Sequence, residues 1–307
     1  MTLGGISSFS SSDWLSIGSK FKQATRTVNY LIHHPSPIRN RARALRRLAW
    51  RQVRKRVCRG AHVFKWHGLS FEVFPDSTCA GCIYYLDLPD WWEMKFLQCF
   101  LRPGDVVADV GANIGAYALL AATLVGPEGT VVAFEPDPSN IHRFRRQLQR
   151  NELSQLRIVE AAVGACDSML FLKAGKDTLS SIVLLQQEGI PVPAVSLDTY
   201  FSRLQPPIFV KVDVEGYEEP VVRGSLSLIS SGFPLVWQLE LGNLSVRYGY
   251  SECAIAGILL ENGYEFYRYD PNKRMLVTVG SSRTEDNVLA IRDLNQVNAR
   301  LRFTEQE

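Results

Sequence analysis

The chain has 307 residues, 46% of them apolar and 21% charged, and carries a net charge of +3. A chain of that length buries a substantial core, and this composition excludes a disordered, fibrous or membrane-embedded protein. The charge is unevenly placed: residues 1–60 hold thirteen Lys/Arg against one acid, Asp13, so the remainder is net acidic.

Residues 1–35 open Ser/Gly-rich, show no period and lack the apolar stretch of a secretion signal. No later run reaches the roughly 20 apolar residues that span a bilayer. A cytoplasmic location is the expectation, and six scattered cysteines suit a reducing compartment. Residues 39–57 predict a basic amphipathic helix with Leu45, Leu48, Ala49, Val53 and Val57 on one side. It has three readings: a solvated helix packed on the main domain, a peripheral contact with an anionic membrane, or a nucleic-acid contact. Trp50 is its one aromatic residue, which makes nucleic acid the weakest of the three.

Residues 63–74 alternate as a hairpin that caps the catalytic domain, and residues 90–101 predict a helix capped by Asp90 and stopped by Pro103-Gly104. Beyond it, β-rich runs at 106–110, 131–134, 156–163, 208–214 and 235–239 alternate with helical stretches at 116–124, 139–151 and 218–228. Repeated βα units of this size imply an α/β fold with a doubly wound, mostly parallel sheet. Three further strands at 264–269, 275–279 and 287–291 predict an antiparallel edge. The expected division is a basic N-terminal extension (1–60), a hairpin-like cap or linker (61–83), a catalytic domain (84–292) and a tail (293–307).

The run Asp109-Val110-Gly111-Ala112-Asn113-Ile114-Gly115 is a strand ending in an acid, then a glycine turn entering a helix. Ligands of such sheets bind beyond the carboxyl ends of the strands, so Asp109, Gly111, Asn113 and Gly115 are positioned to touch one. A dinucleotide turn needs G-x-G-x-x-G to close on a pyrophosphate, and Asn113 and Ala116 stand where its second and third glycines belong. Asp109 also suits a cationic ligand better than a phosphate, and S-adenosylmethionine presents an ammonium and a sulfonium. Glu135 ends the second strand in Phe134-Glu135-Pro136, where an acid can accept hydrogen bonds from ribose hydroxyls.

These residues, with Val195-Ser196-Leu197-Asp198 and above all Val210-Lys211-Val212-Asp213-Val214-Glu215-Gly216-Tyr217-Glu218 followed by Arg223-Gly224, resemble the FkbM-type family of S-adenosylmethionine-dependent methyltransferases. The resemblance covers about two thirds of the chain and leaves the first 80 residues outside it. It implies a class I, Rossmann-like methyltransferase fold, with Asp109, Gly111 and Gly115 around the methionine part of the cofactor, Glu135 on the ribose, and Ala161 and Ala162 near the adenine. It also implies O-methylation of a small-molecule or glycan acceptor.

A hydroxyl acceptor needs a general base. The five histidines are His33, His34, His62, His67 and His142, none of them near the later strand ends. Asp213 and Glu215 are the candidates: they alternate with valines and so are expected on one side of the strand end. The competing reading makes Lys211 and these acids a structural ion-pair network. Glu240 could join them, and three close acids could hold Mg²⁺, while Cys79 and Cys82 form a CxxC lacking two zinc ligands nearby. No metal is expected. A methyltransferase acting on RNA through the basic arm, and a non-catalytic cofactor-binding scaffold, are the alternatives.

Overall fold

The computed structural model describes residues 28–29, 31–57, 60–173, 181–183, 189–241, 243–279 and 287–302. They fall into two units, residues 1–59 with 84–87, and residues 60–83 with 88–307. In the first, helix α1 (Ile38–Val57) buries Ala44 and Arg51. Arg47 donates to the Tyr84 carbonyl at 2.8 Å with its guanidinium over the Tyr84 ring, and Arg51 donates to the Tyr85 hydroxyl at 2.7 Å.

The second unit opens with the expected hairpin, β1 (His62–Trp66) and β2 (Leu69–Val73), which buries Trp66 and Phe71 edge to face. His67 and Gly68 link the strands, both at positive φ (45° and 82°), a geometry whose twist matches that of the strands. Two helices come next in the chain, α2 (Thr78–Leu86), which the sequence reading does not foresee and whose residues 84–86 belong to the first unit, and α3 (Trp91–Phe100).

The remaining elements in chain order begin with β3 (Val106–Val110), α4 (Ala116–Val125), β4 (Thr130–Phe134), α5 (Pro138–Gln149) and β5 (Leu156–Val159). Next come β6 (Ala162–Val163), β7 (Ser168–Lys173), β8 (Ser181–Val183), β9 (Ile190–Val195) and α6 (Leu197–Phe201). Then β10 (Phe209–Val212), α7 (Glu218–Arg223), α8 (Leu226–Ser230), β11 (Val236–Glu240) and a 3₁₀ turn (Asn243–Tyr248) lead to α9 (Glu252–Glu261). The described chain closes with β12 (Glu265–Asp270), β13 (Met275–Thr278), β14 (Asn287–Ile291) and α10 (Leu294–Arg302).

Eight strands form one sheet in the order β13-β12-β14-β11-β10-β3-β4-β5. β5, β4, β3, β10 and β11 run parallel, and β14, β12 and β13 add the antiparallel edge. The chain order reverses between β3 and β10, the switch point where α/β sheets bind ligands. All five residues of β3 are buried, as a central strand covered on both faces requires.

The structure departs from the expected elements in three places. Residues 156–163 are two strands: β5 completes the large sheet, while β6 joins a second sheet of order β6-β9-β7-β8. Residues 218–228 are two helices, broken where Gly224 lies so close to Gly164 that an added Cβ would stand 2.1 Å from the Gly164 carbonyl oxygen. Asp90 occupies the N-cap of α3 but makes no side-chain cap bond; its carboxylate reaches instead to the Tyr117 hydroxyl.

Candidate active site

Three polar residues sit in one row across the middle of the sheet. Register pairs Lys211 of β10 with Asp109 of β3 on one side and with Gln238 of β11 on the other. Directly paired residues share a face, so these three side chains emerge together among valines and alanines. Tyr117 of α4 covers them: Gln238 Nε2 donates to its hydroxyl at 3.2 Å, and the Lys211 ammonium lies 4.8 Å from its ring centroid.

Above that row the chain leaves β3 through Gly111, at φ 80°. The Gly111 and Ala112 N–H groups both donate to the Phe134 carbonyl at 3.0 Å. A Cβ on Gly111 would lie 1.9 Å from the Asp213 carbonyl oxygen, so only glycine lets the turns after β3 and β10 meet. Gly115, at φ 88°, starts α4, and a Cβ there would stand 2.1 Å from the Phe144 ring.

A cavity of about 360 Å³ opens over these strand ends, within the range of small-molecule sites. Asp109, Gly111, Asn113, Glu135, Ala161, Ala162, Asp213 and Glu215 line it; Gly115 is not part of its wall. Asp90, Met94, Tyr117 and Tyr217 line it too, although the sequence reading does not assign them to the site. His142 is exposed, and neither His62 nor His67 reaches the cavity. Among the described residues no group of three or more His, Cys, Asp or Glu is arranged to hold a metal ion.

Asp109 is 2% exposed, and neither carboxylate oxygen has a hydrogen-bond partner; Lys211 Nζ stands 3.9 Å from Oδ1. Burial raises its pKa to about 6, with Lys211 opposing and Asp213 adding to the rise. Glu135, also buried, accepts from Asn113 N at 2.7 Å through Oε2, and from Asp137 N at 2.8 Å and Asn140 Nδ2 at 3.4 Å through Oε1. Burial still lifts it to about 7, against the pull of those backbone donors. Asn113 meets this bond at φ 52°, with its own Oδ1 accepting from Ile114 N.

The acids after β10 differ from one another. β10 ends at Val212 and Glu215 adopts φ 55°, so strand alternation does not carry past the strand; the turn itself brings Asp213, Val214 and Glu215 to the cavity. Lys211 Nζ donates to Asp213 Oδ2 at 2.9 Å. Burial would raise Asp213, but Lys211 and a hydrogen bond with Glu240 outweigh it and hold the carboxyl below its usual value. Glu240, at the end of β11, is pushed to about 8 by burial, by the Asp213 charge and by that shared bond. Near neutrality the pair therefore carries one proton and one charge. Burial and Asp213 raise Glu215 as well, against the nearby Arg247, which donates to the Glu215 carbonyl. On the Glu215 side, Tyr217, Tyr248 and Tyr250 pack as an aromatic cluster with centroids 5.5 to 6.0 Å apart.

Residues 109–266 match the family profile described as the Methyltransferase FkbM domain. The chain is 48% identical over 63 residues to the 31-O-demethyl-FK506 methyltransferase FkbM of Streptomyces tacrolimicus, a match covering 20% of this chain and 24% of that protein. It is 26% identical over 140 residues to the hexuronic acid methyltransferase AglP of Haloferax volcanii, covering 45% of this chain and 57% of the relative. A solved structure of a methyltransferase FkbM from Methylobacillus flagellatus KT aligns over 69% of this chain and 53% of its own, with 17% identity and a TM-score of 0.42. The chain thus spans less than two thirds of each of these relatives.

Proposed function

The chain belongs to the FkbM methyltransferase family, and from that premise we propose that it methylates a hydroxyl group on a sugar, glycan, polyketide or other small molecule. Bound S-adenosylmethionine supplies a methyl group already activated on a sulfonium. The chain's residues fit that cofactor. Buried Asp109, whose oxygens have only loose partners such as Lys211 at 3.9 Å, has acceptor capacity that the ligand's ammonium would fill. Glu135 Oε2, holding a single donor, keeps lone pairs for ribose hydroxyls, with Gly111 and Asn113 closing over the ligand, Gly115 fixing their turn, and Ala161 and Ala162 leaving room for the adenine.

The observation that carries hydroxyl chemistry is the set of three acids, Asp213, Glu215 and Glu240, lining one cavity wall with Lys211 donating to Asp213 at 2.9 Å. An acceptor hydroxyl within reach of Asp213 would give its proton to this acid cluster as its oxygen takes the methyl group, the carbon–sulfur bond breaking to leave S-adenosylhomocysteine, and Lys211 would keep Asp213 ionised until then. Glu215, at the mouth beside Arg247 and the tyrosines, is the second proton acceptor the site offers. The names of the FK506 and hexuronic acid relatives support a polyketide or sugar acceptor for this chain.

The test incubates the full chain with methyl-labelled S-adenosylmethionine and, in parallel, uronic acid glycosides, hydroxylated macrolides and transcribed RNA. Labelled methyl ether on a hydroxyl acceptor is expected, with kcat about 10²–10⁴-fold lower in Asp213→Asn and binding of S-adenosylhomocysteine intact. Transfer to RNA alone would overturn the proposal in favour of a nucleic-acid acceptor.

A further inference from the structure

An amphipathic helix on a soluble protein ordinarily turns its apolar side inward and its charges outward. α1 does the reverse. Leu45, Trp50, Val53 and Val57 are 37%, 57%, 51% and 76% exposed, and Ala42 and Ala49 are exposed with them. At 3.6 residues per turn these six occupy one arc of about 140°, interrupted among the described side chains by Arg46.

Several arginines point the other way. Arg41 donates to the Ile32 carbonyl at 2.8 Å, while Arg47 and Arg51 engage Tyr84 and Tyr85. Nine Lys/Arg and no acid lie along the twenty residues of this helix. On the helical wheel Arg43 and Arg54 border the apolar arc beside Trp50.

We propose that α1 is a surface anchor for anionic lipid, its apolar arc entering the bilayer interface and its bordering cations meeting headgroup phosphates. The combination selects the partner. A protein groove would match the apolar arc but leave an uncompensated row of cations, and a nucleic acid would match the charge but gain nothing from Leu45, Val53 and Val57. An anionic bilayer offers an apolar layer directly beneath a negative one, with a boundary that suits Trp50 and lets Arg46 reach back to the headgroups.

The test is flotation of the full chain with vesicles of phosphatidylcholine, alone or with phosphatidylglycerol, at low and high salt. Binding to the anionic vesicles only, falling with salt, and weakened at least about tenfold in Trp50→Ser/Val53→Ser is expected. The variant alters exposed side chains, and unchanged S-adenosylhomocysteine binding would show that it folds. Equal binding to both vesicle types, or unchanged binding by the variant, would overturn the proposal. So would capture by RNA with no vesicle binding, or self-association lost in the variant with no vesicle binding.

Discussion

Asp109 and Glu135 are buried carboxyls lining the same cavity, held at about 6 and about 7. On the proposed placement the ligand's ammonium binds the ionised form of Asp109, so affinity for S-adenosylhomocysteine should fall as pH drops through 6. Calorimetric titration from about pH 5 to about pH 8 should show this, and Asp109→Asn should weaken binding and remove that part of the pH dependence. An affinity independent of pH would mean that the ammonium does not sit on Asp109. Both acids are legible in the sequence because each ends a β-rich run just before a turn. The pairing of Lys211 with Asp109 and Gln238 is not, because it is fixed by register between strands about a hundred residues apart in one case. The pairing of Asp213 with Glu240 likewise depends on two turns meeting in space.

Among the elements, the hairpin is fastened to α5 around Gln147. Gln147 Oε1 accepts from Glu72 N at 2.9 Å, and its Nε2 donates to the Glu72 carbonyl at 2.8 Å, so one amide completes the backbone bonding of a buried strand residue. Arg146 and Arg150 meet the Glu72 carboxylate beside it. Gln147→Leu preserves size but orphans both backbone groups, and should cost roughly 2–5 kcal/mol in denaturant unfolding. A loss below 1 kcal/mol, on the order of one surface contact, would mean that the other contacts of the hairpin, among them Arg146 and Arg150 on Glu72, carry its docking without Gln147. The parallel strands and the hairpin are readable from periodicity, but the small second sheet is not. Its strand β9 reads Ile190-Pro191-Val192-Pro193-Ala194-Val195, and prolines argue against a strand. They are accommodated because β6 pairs only with Ala194 and Val195, leaving the proline end bonded on the β7 side alone.

At the scale of the molecule, the site's acids make stability depend on pH. Asp109, Glu135 and Glu240 hold their protons more tightly folded than their ordinary values of 3.8 to 4.5, with folded values of about 6, 7 and 8. Such groups favour the folded state fully below about pH 4, and that contribution is lost as pH rises through 6 to 8. Asp213, held low, and Lys211, held high, stay ionised across this window and leave the trend unchanged. The Tm of the ligand-free chain should therefore fall between about pH 5 and about pH 9, and S-adenosylhomocysteine should flatten the fall by compensating Asp109. Scanning fluorimetry with and without the ligand checks this; a Tm rising over that range would contradict it. No described helix is long and apolar enough to cross a membrane.

The contact between Gly111 and the Asp213 carbonyl has a consequence for how such a site can be altered. Two loops that touch backbone to backbone form one mutational unit: an insertion or a bulkier residue in either one displaces the other. A change that reshapes the cavity on the Asp213 side would therefore have to be matched by one in the Gly111 turn.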